Sequence, residues 1–328
     1  MSFTRARRLS LAATGGLAVA LLAACTSSGS GNSATTASDH LEKTTVTVGA
    51  LPVVDSAGLY LARQNGYFQQ AGLTVKITPV AKSPDAIPEM QSGKIDVVAG
   101  ANYVSFFQAA QVKHLPLKLL VDGESCTDDT FEVLAKSTSG ITSAAGLAHK
   151  TIAVNITNNI QTMLTNTALQ AAGVNPASVK YVTVPFPEMG KALSSGAVDA
   201  ISVVEPFITE NELNVGAQPV LSTCTGPTAN FPISGYFSLS SFTQKYPNTA
   251  RAFVSALERG QALADSNRAD VSEILPSYIP HLPANQAAVV NLGQYPTALD
   301  TTHLQRVADA MAKANLAPGF QVSSLLFH

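Results

Sequence analysis

The chain has 328 residues, a length that suits one large domain or two lobes. Apolar residues make up 46% of it, enough for a full core, whereas charged residues make up only 13%, against a usual share of roughly 25%. The 20 basic and 22 acidic residues leave a net charge of −2, which argues against a nucleic-acid-binding face and against a charge-dominated disordered chain. Three cysteines exclude a disulfide-dense scaffold and a multi-cysteine metal cluster.

Residues 1–24 are predicted to be a signal peptide. Three arginines at positions 5, 7 and 8 precede the uncharged run Leu9–Ala24, which is shorter than the ~20 apolar residues of a membrane-spanning helix. The run ends in LAAC (22–25), which resembles a bacterial lipobox. On this interpretation Cys25 carries a lipid and holds an exported chain on the outer face of the cell membrane. The alternative is an ordinary cleavage site beside a bystander cysteine.

Residues 25–43 are predicted to be a lipidated, flexible tether, because Thr26–Asp39 is rich in small and polar residues and cannot bury apolar area. Export also places the two remaining cysteines, Cys126 and Cys224, outside the reducing cytosol. Two such cysteines are expected to form a disulfide. The alternative is a pair of separate buried thiols.

Short apolar strands then alternate with helices along the chain. Strands are predicted, in chain order, over residues 44–51, 73–79, 95–99, 117–121, 151–154, 179–184 and 200–204. Asp55 or Ser56 is expected to cap one helix and Ser83 the next. Residues 242–317 are predicted to be largely helical, with breaks at Pro276, Pro280 and Pro283. This alternation is typical of an α/β protein with a mainly parallel, buried sheet.

Two segments of the chain repeat each other weakly. SGKID (92–96) is echoed by SGAVD (195–199), and Ala71-Gly72 is echoed by Ala172-Gly173, each pair standing before a predicted strand. Two such echoes in the same order favour two lobes of similar build.

The sequence contains no motif for catalysis or for a metal. The nucleophile elbow, the zinc-protease helix, the phosphate-binding loop and the dinucleotide turn are all missing. The six histidines are scattered, without metal-ligand spacing. We therefore expect no cofactor, no metal and no enzyme activity, although a triad assembled from distant residues would leave no such motif.

One segment resembles a known family. LYLARQNGYF (59–68), continuing through AGLTV (71–75), is similar to the opening motif of the nitrate/sulfonate/taurine-type substrate-binding proteins of ABC importers. That group includes binders of thiamine-precursor pyrimidines and riboflavin, and SGKIDV (92–97) and VVEPF (203–207) resemble its later motifs. The resemblance implies a type 2 periplasmic-binding-protein fold with two α/β lobes joined by crossing hinge strands. Residues 44–135 and 232–328 would form lobe 1, and residues 136–231 lobe 2.

In such a fold the ligand lies between the lobes, against loops at the carboxyl ends of strands. Four loops qualify: 52–56, 100–103, 155–159 and 205–207. For the polar residues the alternative is helix capping or exposure, and for the aromatic residues it is the core. The ligand contacts predicted on this basis are Val54, Asp55, Ala101, Asn102, Tyr103, Asn155, Thr157, Asn158, Asn159, Glu205, Phe207 and Tyr236.

The resemblance implies a monomer that captures a small polar organic solute, similar to a sulfonate, taurine or nitrate, and delivers it to an ABC permease by hinge closure. However, the chain has no arginine between Arg63 and Arg251, and its cleft loops carry Asp55 and Glu205, with Lys82 the one nearby cation we can suggest. A neutral or basic heterocycle is therefore the alternative solute. An enzyme like the related fungal pyrimidine synthases, whose clustered cysteines are missing here, and a sensor are alternative functions.

Overall fold

A computed structural model describes residues 40–328 of the chain. The predicted signal peptide, the predicted lipidation site Cys25 and the predicted tether up to residue 39 lie outside the described residues. Within residues 40–328, no helix is long and apolar enough to cross a membrane.

Residues 41–43, which the sequence assigned to the tether, are attached to the folded domain. The Glu42 carboxylate accepts hydrogen bonds from the backbone N–H groups of Asn248 and Thr249, at the start of the helix Pro247–Ser266. Lys43 forms an ion pair of 2.6 Å with Asp96. The first turn of a helix has free N–H groups, and a carboxylate is a suitable acceptor for them. The domain therefore begins before Thr44.

Within residues 40–328, ten strands form two five-stranded sheets, one in each lobe. The strands are β1 (Thr45–Ala50), β2 (Thr74–Pro79), β3 (Val97–Asn102), β4 (Leu117–Ser125), β5 (Phe131–Lys136), β6 (Thr151–Val154), β7 (Lys180–Thr183), β8 (Ala200–Val204), β9 (Ala217–Ser222) and β10 (Pro232–Leu239). The first sheet has the order β2-β1-β3-β10-β4 and the second the order β7-β6-β8-β5-β9.

Helices cover the sheets. They are α1 (Ala57–Gln64), α2 (Tyr67–Gln70), α3 (Ala86–Gln91), α4 (Tyr103–Gln111), α5 (Ile160–Ala171), α6 (Phe186–Ser194), α7 (Phe207–Val215), α8 (Ser240–Lys245), α9 (Pro247–Ser266), α10 (Arg268–Ile274), α11 (Ala284–Ala287) and α12 (Thr301–Lys313). The predicted two-lobed α/β architecture is confirmed.

The sheets are mixed, whereas the sequence predicted mainly parallel ones. In each sheet three strands pair in parallel, β2-β1-β3 and β7-β6-β8, and the other two pairings are antiparallel. The antiparallel strands follow from the path of the chain. It crosses between the lobes after β4 and again after β9, and β5 and β10 each enter the new sheet in the opposite direction.

The two crossing segments are bonded to each other. Cys126, which follows β4, and Cys224, which follows β9, form a disulfide with a Cα–Cα distance of 6.0 Å. The pairing expected from the sequence is therefore present. The lobe boundary at residue 135 needs correction, because Phe131–Lys136 pairs with β8 and β9 of the second sheet. The chain thus changes lobe within residues 126–130.

The helical tail packs on the first lobe. Helix α9 lies against α1 so closely that a Cβ on Gly260 would be 2.1 Å from the carbonyl oxygen of Gly58. Nearby, Phe68 and Phe253 stack with a ring separation of 5.2 Å. Helix α12 buries Leu304 and packs against α4 and β10. The tail therefore completes the core of the lobe that carries the first two cleft loops.

Candidate functional site

A cavity of about 50 Å³ lies between the two lobes. The carboxyl ends of the parallel strands in each sheet face it, as expected for a ligand site in an α/β fold. Both lobes contribute polar and apolar side chains to its wall. The lining residues are Leu51, Val53, Asp55, Ser83, Gly100, Asn102, Phe131, Asn155, Ile156, Asn159, Ile160, Gln161, Phe186, Val204 and Ile233.

Asp55 lies in the loop after β1, and the local hydrogen bonds differ from those predicted. The first-turn N–H groups here donate to backbone carbonyl groups, because the 3-10 turn Val54–Ser56 continues directly into α1. Ser56 Oγ donates to the carbonyl oxygen of Leu51 at 2.8 Å. The capping roles expected for Asp55 and Ser56 are therefore wrong, and the Asp55 carboxyl group is left to face the cavity.

Asn102 begins the second cleft loop and caps α4. Its Oδ1 accepts the backbone N–H of Ser105 at 2.9 Å. Its own backbone N–H donates to Ser83 Oγ at 3.1 Å. Ser83 was expected to cap the following helix, but its hydroxyl instead ties that loop to the end of β3. These bonds fix the orientation of the Asn102 side chain at the cavity wall.

The wall in the second lobe is built around the start of α5. The Asn159 carbonyl oxygen Oδ1 accepts from the N–H of Ile160 at 2.7 Å, so Asn159 caps the helix. The backbone N–H of Asn155 donates to Gln161 Oε1 at 2.7 Å. Gln161 Nε2 in turn donates to the carbonyl oxygen of Ser202 at 2.5 Å. The Gln161 side chain is thus held by the backbone of Asn155, directly after β6, and of Ser202 in β8.

Four of the twelve predicted ligand contacts line the cavity. They are Asp55, Asn102, Asn155 and Asn159. Their role as ligand contacts remains a prediction.

Four other predicted contacts are buried in the first lobe. Val54, Ala101, Tyr103 and Tyr236 are each at most 1% exposed. The Tyr103 hydroxyl donates to Asp122 Oδ1 at 2.5 Å, and the Tyr236 hydroxyl contacts Gln261 Oε1 at 3.4 Å. Their strand and helix positions turn them toward the core, so none of the four belongs to the cavity wall.

The remaining predicted contacts lie around the cavity in the second lobe. Thr157 and Asn158 are exposed, at the tip of the loop before α5. Phe207 is buried and stacks on Phe186 at 5.1 Å, so Phe186 rather than Phe207 faces the cavity. Glu205 is fully buried behind Val204 and does not line the cavity.

The Glu205 carboxylate joins the two lobes. It accepts hydrogen bonds from the Thr209 backbone N–H at 3.1 Å, the Thr209 hydroxyl at 2.9 Å and the Asn291 backbone N–H at 2.9 Å. Thr209 belongs to α7 of the second lobe, and Asn291 to the tail of the first. Burial raises the pKa of Glu205 to about 7, although these hydrogen bonds act to lower it.

A second hydrogen bond crosses the cleft beside the cavity. Asn159 Nδ2 donates to Ser105 Oγ at 2.6 Å, joining α5 to α4. A hydrogen bond of this kind contributes about 1 kcal/mol net. Together with the bond between Asn291 and Glu205, it holds the lobes in a closed arrangement.

The Asp55 carboxyl group lies near the Glu124 carboxyl group of β4. Asp55 is 6% exposed and Glu124 is 3% exposed. Burial raises the pKa of both groups, and the nearby Asp55 raises that of Glu124 further, well above its usual range. Two nearby buried carboxyl groups oppose each other's ionisation, in addition to the effect of burial.

Two other buried polar side-chain atoms lack a hydrogen-bond partner among residues 40–328. Burial raises the pKa of Asp122 to about 7, and its Oδ2 has no hydrogen-bond partner among residues 40–328. The same is true of Ser234 Oγ, which lies beside the Asp55 carboxyl group without a hydrogen bond of good geometry.

The cavity lining contains no lysine, arginine, histidine or cysteine among the residues that the structure describes. Nor do residues 40–328 contain a group of three or more histidine, cysteine or acidic side chains arranged to hold a metal ion. The wall can thus offer amide groups, one hydroxyl group, one carboxyl group and two phenyl rings.

A larger concavity, of about 450 Å³, lies elsewhere, between α5 and α12. Its one arginine, Arg306, donates to the carbonyl oxygens of Asn230 and Ala229, at 2.6 and 2.8 Å, and lies over the Phe231 ring. Because that guanidinium is already engaged, this concavity is a weaker candidate than the smaller one at the strand ends.

Sequence reasoning missed several residues of the wall. Phe131 and Ile233 lie at the starts of strands β5 and β10. The chain enters each of these strands after crossing between the lobes, and no local sequence pattern marks such a crossing. Gln161 and Phe186 each stand just inside a helix that follows a cleft strand. That position was a usable signal, because the first turn of such a helix faces the same edge of the sheet as the loop before it.

The chain matches one known protein family. A family model described as NMT1/THI5 like matches residues 53–268. Among curated protein sequences, none matches the chain.

Solved structures share the fold. The alkanesulfonate-binding protein SsuA from Xanthomonas axonopodis pv. citri, bound to MOPS, is 19% identical with a TM-score of 0.71, over 88% of this chain and 99% of that one. The periplasmic nitrate-binding protein NrtA from Synechocystis PCC 6803 is 15% identical with a TM-score of 0.71, over 87% and 85%. The desulfurization enzyme DSZB is 17% identical with a TM-score of 0.64, over 86% and 96%.

Proposed function

Because this chain belongs to the NMT1/THI5-like family, we propose that it is the extracytoplasmic substrate-binding component of an ABC importer. The observation that carries the proposal is the cavity between the lobes, whose wall combines Asp55 and Asn102 of one lobe with Asn155 and Asn159 of the other. A solute in this position contacts both lobes at once, and such contacts form only when the lobes are closed. Solute binding therefore shifts the chain toward the closed arrangement.

The cavity fits a small solute. At about 50 Å³ it has room for a few heavy atoms in the arrangement described, so a larger solute requires the lobes to stay further apart. The hydrogen bonds between Asn159 and Ser105 and between Asn291 and Glu205 favour closure. The disulfide Cys126–Cys224 joins the two crossing segments and limits how they separate.

The resemblance to sulfonate and nitrate binders suggests an anionic solute, but the wall favours a neutral or basic one. Asp55 faces the cavity, and the described lining has no cationic side chain. The N-termini of α4 and α5 could bind an anion through their free N–H groups. However, the side chains of Asn102 and Asn159 already accept hydrogen bonds from first-turn N–H groups there. A heterocycle that donates N–H groups and packs against Phe131 or Phe186 suits these residues better.

An enzyme on this scaffold is the alternative, since one structural neighbour is a desulfurization enzyme. Covalent catalysis needs a nucleophile beside a base. The described cavity wall offers Ser83 without a histidine or lysine, and both Cys126 and Cys224 are used in the disulfide. These observations favour binding without chemistry.

The proposal extends to the parts of the chain outside the described residues. A lipid on Cys25 would hold the exported chain, as a monomer, at the outer face of the membrane, beside the permease that receives the solute. A sensor that passes the bound state to a signalling partner is a further alternative. A permease gene next to this gene would favour transport, and a kinase gene would favour sensing.

A thermal-shift screen tests the binding role. The chain from residue 25, with Cys25→Ser to prevent lipidation, is melted with alkanesulfonates, taurine, nitrate, aminopyrimidines, riboflavin and amino acids. A solute at a hundred times its Kd adds about 2.7 kcal/mol of stability. Asn155→Ala, in the cavity wall, should lose that shift, whereas Asn175→Ala, an exposed helix cap, should keep it. A shift that Asn155→Ala leaves intact would place the solute elsewhere.

A further inference from the structure

We propose that the base of the first lobe is a docking surface for the headgroups of an anionic lipid bilayer. The base is the edge of the first sheet at which β1, β3 and β4 begin and β10 ends, opposite the edge that faces the cavity. The inference goes beyond the proposed function and rests on one part of it, the lipid on Cys25. Docking by the base turns the cavity edge away from the bilayer, toward arriving solute.

Four lysines lie at the base: Lys43 before β1, Lys94 before β3, Lys113 before β4, and Lys245 at the end of α8, which follows β10. The register of the strands places the starts of β1, β3 and β4 beside the end of β10. Lys94, Lys113 and Lys245 are exposed, and among residues 40–328 none of the three forms an ion pair. Their ammonium groups are therefore available to an anion.

Two acidic groups of the base are already engaged. Glu42 accepts the first-turn N–H groups of α9, and Asp96 pairs with Lys43 and accepts the backbone N–H of Thr47. Glu89 also lies at this edge, since its carbonyl oxygen accepts the backbone N–H of Lys94, but the three free lysines outnumber it.

The acidic groups of the cavity edge do not cancel this local charge. The six residues of β1 separate the two edges by about 20 Å. At physiological salt, exposed charges more than about 8 Å apart are largely screened from each other. A bilayer at the base therefore meets the lysines of the base rather than the net charge of the whole chain.

A shallow pocket of about 380 Å³ lies between Lys43 and Lys245 at the base. Its lining includes the rings of Phe242 and Tyr246. The Nζ atoms of Lys43 and Lys245 lie 5.7 and 5.2 Å from the centre of the Tyr246 ring. Tyrosine rings and lysines with apolar stems suit a boundary that is apolar on one side and wet on the other. The pocket therefore has the chemistry of a lipid headgroup site.

An exposed apolar side chain stands beside these lysines. Val112 is 54% exposed and directly precedes Lys113, in the turn between α4 and β4. That turn lies next to α8, because the backbone N–H of Ser240 donates to the carbonyl oxygen of Pro116 at 2.8 Å. An apolar side chain that protrudes among lysines can enter the headgroup layer while the ammonium groups meet the phosphates.

The described chain begins at the same edge. The carbonyl oxygen of His40 accepts a hydrogen bond from Asn248 Nδ2 at 3.2 Å, at the start of α9. Residues 25–39 separate His40 from the proposed lipid, and a chain of that length spans at most about 50 Å. A lipid on Cys25 therefore keeps the base at a high local concentration beside the headgroups.

The contact is expected to be reversible. Each lysine near an anionic bilayer strengthens binding about fivefold, so the three free lysines together contribute roughly a hundredfold. This electrostatic attraction weakens as salt rises. Docking of this strength orients the anchored chain and still allows it to turn its cavity toward a permease.

Acetylation of lysines, followed by mass spectrometry, tests the orientation on the lipidated full chain. The chain is placed in vesicles of phosphatidylcholine alone or of phosphatidylcholine and phosphatidylglycerol in equal parts. Lys94, Lys113 and Lys245 should react severalfold more slowly on the anionic vesicles, and high salt should remove the difference. Lys136, Lys180 and Lys191 of the second lobe should react alike on both. Equal rates for the lysines of the base would overturn the inference.

Vesicle flotation at low salt tests the surface without the lipid. The chain from residue 25 with Cys25→Ser should bind the anionic vesicles, and the triple variant Lys94→Gln/Lys113→Gln/Lys245→Gln should bind at least about tenfold more weakly. The triple variant Lys136→Gln/Lys180→Gln/Lys191→Gln changes the net charge equally and is the matched control. No binding by the parent chain, or equal losses in both variants, would contradict a specific docking surface.

These outcomes are distinct from failure of the proposed function. If Cys25 carries no lipid but flotation succeeds, the docking surface stands and the anchor is wrong. The base is remote from the cavity, so the triple variant of the base should keep the thermal shift given by a solute. If no solute shifts the parent chain, the binding role fails whatever the vesicles show. Protection of the base only when the permease is present would identify a protein partner and overturn lipid docking.

Discussion

The backbone N–H of Asn291, in the first lobe, donates at 2.9 Å to the carboxylate of Glu205, in the second. This bond reaches across the lobes from a loop in the region predicted to be largely helical to a residue expected to touch the ligand. Glu205 therefore acts on closure rather than on the solute directly.

Replacing Glu205 with alanine should loosen the closed arrangement. The change leaves the N–H groups of Asn291 and Thr209 without an acceptor, at a cost of about 1–3 kcal/mol for each buried group. Glu205→Gln keeps one acceptor oxygen and should lose less. The free energy of unfolding and the radius of gyration check this, and a variant as stable and as compact as the parent chain would contradict it.

The contribution of the Asn159–Ser105 hydrogen bond to stability can be measured separately from that of helix capping by Asn159. Asn159→Ala removes both the cap on α5 and the bond across the cleft, at a cost of about 1–3 kcal/mol. Asn175→Ala removes a cap alone, on the exposed 3-10 turn Pro176–Ser178. A double-mutant cycle of Asn159→Ala with Ser105→Ala should show coupling. Additive losses would mean that the cleft bond contributes nothing.

Stability should fall as the pH rises from 5 to 8. Burial raises the pKa of Asp122, Glu132 and Glu205 to about 7, above the values of about 4 expected in the unfolded chain. The folded chain therefore holds more protons than the unfolded one in this window, so raising the pH favours unfolding. We expect Tm to drop by several degrees, on the order of 5 °C.

Asp122→Asn provides the check on this pH dependence. Asparagine has no proton to lose, and it can still accept from the Tyr103 hydroxyl. The slope of Tm against pH should therefore become shallower in Asp122→Asn and stay unchanged in the exposed control Asp85→Asn. A stability that rises steadily between pH 5 and 8 would mean that these carboxyl groups are ionised in the folded chain.

Loss of the disulfide should destabilise the chain by about 2–5 kcal/mol. Cys126 and Cys224 are separated by 98 residues, so reduction frees a long loop in the unfolded chain. The Cys126→Ser/Cys224→Ser double variant and the reduced parent chain should melt at similar, lower temperatures. A parent chain that melts identically with and without reductant, and that shows two free thiols on titration, would exclude the bond.

The sequence predicted much of the fold, because its strands are short apolar runs bounded by glycine and polar turns. Strands β1–β3 and β6–β8 were placed nearly correctly. The strands β9 and β10 were missed, since Ala217–Ser222 and Pro232–Leu239 contain proline, glycine and serine and take their conformation from the neighbouring strands. The strand propensity of individual residues predicts such strands poorly, because pairing with neighbouring strands determines their conformation.

The site was harder to predict than the fold. The position of the loops led to the prediction that Asp55 and Asn159 lie at the cleft, because strand ends converge on one edge of a sheet. Both residues line the cavity. It could not tell that Tyr103 points into the core, or that Glu205 is turned toward Asn291. The partner of Asp55, Glu124, lies on a strand predicted to end at residue 121, and only the folded chain brings the two carboxyl groups together.

Small-angle X-ray scattering of the unlipidated chain tests directly whether the two lobes close on a bound solute. The solute that gives the largest thermal shift is added, and the radius of gyration is compared with the value calculated from the closed structure. We expect a larger radius of gyration without the solute and agreement with the closed structure at saturation. Identical scattering with and without a solute that binds in the cleft would contradict capture by lobe closure.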